Sequence, residues 1–225
     1  PYADIMSLHE GVTGSLNFVV VKLPNDKTIR FTADCGLFQE REYQDLNNVL
    51  PFNSEEVDFC LVTHVHVDHI GRLPFMVQKG FNKNIYASET TCKLLPIALG
   101  DSFKVLSSVS KRKHVKCLYS EEDVDKTLSL LKPCKYGETI QVNEYVKITF
   151  LNNGHLVGAA LILVQISYPE CEDINLLFTG DYNNKNMFFD VNPIPERIFN
   201  LPSTVISEST YGDMDSGEMK QCFKA

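Results

Sequence analysis

Two features that would place the chain in a membrane or send it across one are absent from the sequence. No apolar run reaches the roughly 18 residues that mark a transmembrane helix, and no basic segment precedes a short apolar one, as it would in a secretory leader. We therefore expect neither a membrane span nor a signal peptide, and no membrane partner.

Closely spaced cysteine pairs are also absent. The seven cysteines are an odd number at wide spacings, and none forms a Cys-x-x-Cys motif. Disulfide frameworks and zinc ribbons both need such pairing, whereas unpaired thiols are typical of a reducing compartment. We therefore expect a cytoplasmic protein, or a nuclear one if the source is eukaryotic.

Positive charge is scarce. The sequence carries 21 Lys and Arg against 29 Asp and Glu, a net charge of −8. An acidic surface argues against broad, non-specific binding to nucleic acid, which depends on Lys and Arg neutralising phosphates. It does not exclude a nucleic-acid substrate, because metal ions can supply positive charge locally. The short basic run at 111–116 is interpreted as a solvated helix end rather than a phosphate-binding patch.

What the sequence does contain is enough apolar material for one folded domain, 44% of 225 residues. Strand-like patterns come first, helical patterns follow, and strand-like patterns then return. The expected strands are 16–23, 28–33, 57–63, 85–87, 140–142, 146–151, 159–166, 174–179 and 203–207, and the expected helices are 70–78, 88–106 and 121–131. This order predicts a sheet-rich α/β layered domain.

The apolar strand at 57–63 ends in a cluster of metal-ligand residues, Thr-His-Val-His-Val-Asp-His at 63–69. While the chain stays extended, His64, His66 and Asp68 project to the same side. His69 breaks this alternation where the pattern becomes helical, so it can face a second, adjacent point. Two neighbouring groups of imidazole and carboxylate ligands are what a pair of divalent ions requires. The alternative is a polar loop that happens to be rich in histidine, but three of the six histidines lie within these few residues.

Other stretches accompany this motif in an order that resembles one family. They are Gly-Val-Thr-Gly-Ser at 11–15, Asp-Cys-Gly-Leu-Phe-Gln at 34–39, Asp-His-Ile-Gly-Arg-Leu-Pro at 68–74, Gly-His-Leu-Val-Gly-Ala at 154–159, Thr-Gly-Asp at 179–181 and Glu-Ser-Thr-Tyr-Gly at 208–212. The chain thus resembles the β-CASP branch of the metallo-β-lactamase superfamily, which includes ribonuclease J and the endonuclease subunit of the pre-mRNA 3′-end cleavage machinery. The resemblance implies an α/β fold, the four-layer αββα sandwich, which is incomplete here if the chain is a fragment.

The resemblance also implies six metal ligands around two zinc ions, with Mn²⁺ as an alternative metal. Three histidines would hold the first ion, an aspartate and a histidine would hold the second, and a further aspartate would bridge the two. In that order the ligands are His64, His66 and His155, then Asp68 and His69, then Asp181.

Two further carboxylates are assigned by the same resemblance. Asp34 would orient a metal-binding histidine through a hydrogen bond. Glu208 would lie at a strand end near the metal-site histidines, and the candidate catalytic residues are therefore Asp68, Asp181 and Glu208. The alternatives are ordinary structural roles: Asp181 as a turn aspartate, His155 as an exposed loop residue and Glu208 as a surface carboxylate.

The predicted domain boundary follows Glu208. Residues 1–208 would form the N-terminal part of the metallo-β-lactamase domain, and 209–225 either the start of an inserted β-CASP domain or a truncated tail. The inserted and returning segments of the branch carry two more histidines, a proton donor and a last metal ligand, whereas no histidine follows Glu208 here. The Asn152-Asn153 pair also departs from the branch, where an acidic or small residue commonly precedes the Gly-His.

The function that the resemblance implies is a dinuclear zinc-dependent hydrolase, specifically a ribonuclease that cleaves RNA phosphodiester bonds with a metal-activated hydroxide. Single-stranded DNA is an alternative substrate, and either a homo-oligomer or a processing-complex subunit fits this function. Two other functions remain open: hydrolysis of a small thioester or lactam by the same fold, and a non-catalytic scaffold subunit.

Overall fold

The computed structural model describes residues 1–8, 12–183 and 185–210, which form two β-sheets with helices packed outside them. The strands in this described part are β1 (Tyr2–Ser7), β2 (Asn17–Lys22), β3 (Thr28–Ala33), β4 (Phe59–Leu61), β5 (Ile85–Ser88), β6 (Leu131–Cys134), β7 (Thr139–Gln141), β8 (Val146–Asn152), β9 (Ala160–Ile166), β10 (Ile174–Phe178) and β11 (Thr204–Ile206). The helices are α1 (Val67–Ile70), α2 (Leu73–Gln78), α3 (Glu89–Lys113), α4 (Glu121–Ser129) and α5 (Glu196–Phe199), with 3₁₀ turns at Arg41–Asn48 and Ser54–Glu56.

The first sheet has the strand order β1-β2-β3-β4-β5-β6. Strands β1 to β3 are antiparallel, and β3 to β6 are parallel to one another. In the register of β3 and β4, Ala33 lies opposite Leu61, so both strands end at the same edge of the sheet. The segments that follow them, which carry Asp34 and His64, therefore begin side by side.

The second sheet has the order β11-β10-β9-β8-β7 and is antiparallel except for the parallel pair β10 and β11. Because β8 and β10 both run opposite to β9, the loops that follow β8 and β10 leave from one edge. The loop after β11 leaves from the same edge. The predicted site residues His155, Asp181 and Glu208 lie on these three loops, in that order.

Three apolar clusters mark the contacts between successive layers. The largest lies between the sheets, where Phe31 stacks on Phe59 at 4.8 Å and meets the edge of Phe178 from the second sheet at 6.2 Å. A second cluster lies between the first sheet and α1 to α4, and a smaller one joins the outer face of the second sheet to Ile198 of α5. The layer order is the predicted αββα sandwich, with a short second outer layer in the residues that the structure describes.

Several predicted elements differ in extent, and two strands were missed. β1 and β6 were not predicted because both are edge strands: β1 is largely exposed, and β6 contains Pro133, which cannot donate a ladder hydrogen bond. The predicted helix 70–78 corresponds to α2 and the last residue of α1, and α3 continues past 106 to Lys113, where His114 ends it with a left-handed φ of 54°. The basic run is thus an exposed helix end, as predicted.

Some predictions fall on residues outside the described part of the chain. These are Gly11, Tyr211, Gly212 and nearly all of the proposed second segment, 209–225. The boundary after Glu208 therefore remains a prediction. Among the described residues, no helix has both the length and the apolar character needed to cross a bilayer.

Candidate metal centre

The segment that carries the histidine motif turns from extended chain into helix earlier than the sequence pattern predicts. β4 ends at Leu61, His66 is still extended with φ −64° and ψ 144°, and α1 begins at Val67. The expectation that His64, His66 and Asp68 all lie along an extended strand is therefore wrong for Asp68, which lies in the first turn of α1. The helical turn still directs both Asp68 and His69 toward the same centre.

Three histidines and one aspartate converge beside this segment. The Nδ1 atom of His66 lies 3.1 Å from Nε2 of His64 and 3.2 Å from Nε2 of His155. Both Nε2 atoms lie 3.7 Å from Oδ2 of Asp181. A tetrahedral site with bonds of about 2.0–2.2 Å has ligand atoms about 3.3–3.6 Å apart. The measured distances lie within a few tenths of an ångström of this range, all four ligand atoms lie within 4.8 Å of one another, and the group could hold a metal ion.

The other carboxylate oxygen of Asp181 faces a second group. Its Oδ1 atom lies 3.2 Å from Nε2 of His69, which in turn lies 3.9 Å from Oδ2 of Asp68. The two oxygens of Asp181 are thus divided between the three-histidine group and the Asp68-His69 pair. The structure brings all six residues of the predicted ligand set together.

Burial and local charge hold His64, His155 and Asp181 in the protonation states that metal ligands need. Burial, reinforced by the neighbouring histidines, lowers the pKa of the fully buried His64 far below its ordinary value. Burial also lowers the pKa of His155. Burial would raise the pKa of Asp181, but the hydrogen bond and charge of His69 lower it below its ordinary value. The imidazoles of His64 and His155 are therefore neutral, and the carboxylate of Asp181 is ionised.

Asp34 fixes the orientation of His69. It follows β3 with a φ of 62°, its Oδ1 accepts the Thr63 N–H at 2.8 Å, and its Oδ2 accepts the Thr63 hydroxyl at 2.7 Å. The same Oδ2 lies 2.7 Å from Nδ1 of His69. Burial lowers the pKa of His69, but Asp34 and Asp181 outweigh it and raise the pKa to about 10. With Nδ1 held in this way, Nε2 of His69 is directed at Asp68 and Asp181.

Two residues that support this geometry could not be assigned a role from the sequence. Gly36 lies so close to α1 that an added Cβ would stand 1.5 Å from the carbonyl oxygen of Asp68. Arg72 is almost fully buried, has no carboxylate partner among the described residues, and donates from its guanidinium to the carbonyls of Gly36, Leu46 and Val49. The only signal in the sequence was a cation inside the otherwise apolar run that forms α2 and its entry.

Glu208 does not belong to the ligand cluster. Its Oε1 accepts the Tyr182 N–H at 2.7 Å, and its Oε2 accepts the Thr210 hydroxyl at 2.6 Å. It thereby ties the loop after β11 to the loop that carries Asp181. A cavity of about 150 Å³ adjoins the site here, lined in part by Ser15, Ser207 and Glu208 beside His69 and Asp181.

Comparison with protein families and curated proteins gives consistent matches. A family model described as a metallo-beta-lactamase superfamily domain matches residues 23–190. Ribonuclease TTHA0252 of Thermus thermophilus is 34% identical over 82% of this chain and 39% of its own length. Transcription termination factor FttA of Methanosarcina mazei is 32% identical, over 83% of this chain and 28% of its length. Endoribonuclease ysh1 of Aspergillus fumigatus is 31% identical, over 80% of this chain and 20% of its own length. The chain thus spans well under half of each of these relatives.

Solved structures are similar in fold. Rm3 metallo-beta-lactamase superposes with a TM-score of 0.50 at 16% identity, over 95% of this chain and 82% of that one. A B3 metallo-beta-lactamase with an active-site glutamic acid superposes with a TM-score of 0.50 at 15% identity, over 89% of this chain and 74% of that one. At such identities the likeness shows the fold alone, and it confirms the predicted α/β fold class.

Proposed function

The chain belongs to the metallo-beta-lactamase superfamily, and from this premise we propose that it is the metal-binding part of a dinuclear zinc-dependent ribonuclease. The observation that carries the proposal is the division of the Asp181 carboxylate. One oxygen lies 3.7 Å from His64 and His155, and the other lies 3.2 Å from His69. A carboxylate placed in this way can bridge two ions, with Mn²⁺ as an alternative to zinc.

The six ligand residues would hold the two ions of such a centre as two groups that share Asp181. His64, His66, His155 and Asp181 would hold one ion, and Asp181 would share the other with the Asp68-His69 pair. A bound pair of divalent ions would act as a Lewis acid toward a phosphoryl oxygen and lower the pKa of water.

The carboxylates would also position the attacking water. Oδ2 of Asp68 lies 3.9 Å from Nε2 of His69 and would there accept a hydrogen bond from that water. Asp34 would keep the Nε2 atom of His69 facing the centre and thus keep the geometry fixed. Glu208 would contribute by holding the Asp181 loop rather than by contacting the substrate.

RNA is the proposed substrate because two of the matched relatives are named as a ribonuclease and an endoribonuclease. Single-stranded DNA is the alternative nucleic acid, and assembly into a homo-oligomer or a processing complex is equally a proposal. Retention of a complete His-His-His-Asp group argues against a purely structural subunit. The general acid is not among the residues assigned, and we therefore expect this chain alone to cleave RNA only weakly.

The proposal is tested with the purified, metal-loaded protein on four substrates: labelled single-stranded RNA, single-stranded DNA, a chromogenic lactam and a thioester. We expect two zinc ions per chain and weak RNA cleavage that disappears in His66→Ala, which also controls for contaminating nucleases. Turnover of the lactam or thioester without RNA cleavage would favour the small-molecule hydrolase. Failure to bind any divalent ion would favour the scaffold.

A further inference from the structure

Asn153 is a buried amide that joins the loop of His155 to the loop of Asp181. Its Nδ2 donates to the carbonyl of Thr179 at 2.9 Å and to that of Asp181 at 2.7 Å. Its Oδ1 accepts the His155 N–H at 3.1 Å. The residue is 3% exposed, so water does not compete for these bonds. Both amide hydrogens and the amide oxygen are therefore used, all on backbone groups of the candidate metal centre.

The backbone around Asn153 brings the same two loops into direct contact. The Asn183 N–H donates to the Asn153 carbonyl at 2.9 Å, and the Asn186 amide donates to the Gly154 carbonyl, also at 2.9 Å. Gly154 has a φ of 76°, and an added Cβ there would stand 2.1 Å from the Asn183 carbonyl oxygen. The loops thus meet backbone to backbone, and Asn153 is the side chain between them.

We propose that Asn153 is a positioning residue that sets the separation of His155 Nε2 and Asp181 Oδ2, and through it the metal affinity of the centre. The inference rests on the proposed function as a metal centre. It does not require Asn153 to touch a metal or a substrate. The two atoms it controls lie 3.7 Å apart and come from strands that are not neighbours in the sheet, β8 and β10. A connection between their loops is therefore needed to hold the ligands at one distance.

The hydrogen-bonding groups around position 153 require an amide side chain. Two carbonyl oxygens, those of Thr179 and Asp181, need donors, and one N–H needs an acceptor. An aspartate could still accept from His155, but its second oxygen would face two carbonyl oxygens with no hydrogen to offer. An alanine would leave all three backbone groups without a partner.

The test measures zinc affinity by calorimetry in Asn153→Ala and Asn153→Asp. We expect affinity to fall about 10–100-fold in both variants, the range typical when a residue supporting a metal ligand is lost. The visible spectrum of the cobalt-substituted protein should change as well, because it reports ligand geometry. The matched control is Asn175→Ala, since Asn175 is also buried, 6% exposed, and donates to the Pro202 carbonyl at the far end of β10. The control should lower the melting temperature and leave affinity and spectrum unchanged.

The possible outcomes separate the role of Asn153 from the proposed function. Unchanged affinity and an unchanged cobalt spectrum in both Asn153 variants would overturn the inference alone. Wild-type affinity in Asn153→Asp would also overturn it, because the two donated bonds would then be irrelevant. Absence of metal binding by the unaltered protein would instead overturn the proposed function, and the inference with it.

If neither Asn153 variant folds, the inference is tested by hydrogen exchange on the unaltered protein. If Asn153 links the two loops to the metal, zinc must slow hydrogen exchange at the His155 and Asn183 amides, which donate to Asn153. The Asn175 amide, remote from the centre, should be unaffected. Equal exchange with and without zinc at His155 and Asn183 would overturn the inference.

Discussion

Replacing Gly36 with alanine should distort the half of the metal centre that contains Asp68 and His69. The added Cβ would stand 1.5 Å from the Asp68 carbonyl oxygen, 2.0 Å from its carbonyl carbon and 2.7 Å from the His69 nitrogen. All three are backbone atoms, so no side-chain rotation relieves the clash. Gly36 does not have a positive φ, and the requirement for glycine here is one of space alone.

The size of the loss in stability depends on how far the backbone of Asp68 must move. The oxygen has to retreat from 1.5 Å to at least 3.0 Å, below which real Cβ contacts are essentially never found. Two backbone hydrogen bonds tie this segment in place, from the Ser15 N–H to Asp68 and from the Cys35 N–H to His69, each 2.8 Å. Overpacking costs about 1–3 kcal/mol, and each lost bond adds about 0.5–1.5 kcal/mol. If both bonds are lost, we expect a decrease of about 2–6 kcal/mol in the free energy of unfolding.

Chemical denaturation of the metal-free protein measures this loss, and metal titration measures its local consequence. We expect the ion held by Asp68 and His69 to be lost before the ion held by the three histidines. The matched control is Gly100→Ala in α3, where an added Cβ meets nothing within 4 Å and should stabilise the helix by about 0.5–1 kcal/mol. A Gly36→Ala protein with unaltered stability and metal content would refute the reasoning.

Three further predictions concern the ligands and one surface carboxylate. His64→Ala and His66→Ala should each abolish tight binding of one ion, measured as metal content by mass spectrometry, because each removes one of three imidazoles. Asp181→Asn should keep the fold but weaken the Asp68-His69 ion more than the other, since the amide loses the charge that offsets two cations; equal loss of both ions in calorimetry would contradict a bridging role. Burial raises the pKa of Glu40, but hydrogen bonds from Thr13 and Val12 outweigh it and lower the pKa to about 2 from 4.5. Its stabilisation is thus present above pH 4.5 and lost as pH falls toward about 2, and Glu40→Gln should flatten the acid side of a melting-temperature profile.

The local part of the fold and of the site could be predicted from the sequence. Strands β2, β3, β8 and β9 are apolar or alternating segments, and their positions were predicted to within a residue or two. The strands and helices at the edges of the sheets gave weaker signals, and β1 and β6 were missed. His64 and His66 could be recognised from their spacing alone, whereas His155 and Asp181 needed the family resemblance because nothing local distinguishes them.

The residues that hold the centre together could not be predicted, because their roles depend on contacts between segments distant in the chain. Gly36 is required by the backbone of Asp68, and Asn153 by the carbonyls of Thr179 and Asp181. Neither contact follows from propensity or periodicity, which describe only near neighbours. The start of the helix was also misplaced: α1 begins at Val67, three residues before the predicted start at Ile70.

The net charge of −8 and an anionic substrate are compatible once charge is considered locally. His64 and His155 are held neutral by burial, so the negative charge of the proposed ligand set comes from Asp68 and Asp181. Two divalent cations bound against two carboxylates would leave a local excess of positive charge. Attraction for a phosphodiester would then come from the metal centre, and the scarcity of Lys and Arg elsewhere would favour binding at that one place over non-specific binding along the surface.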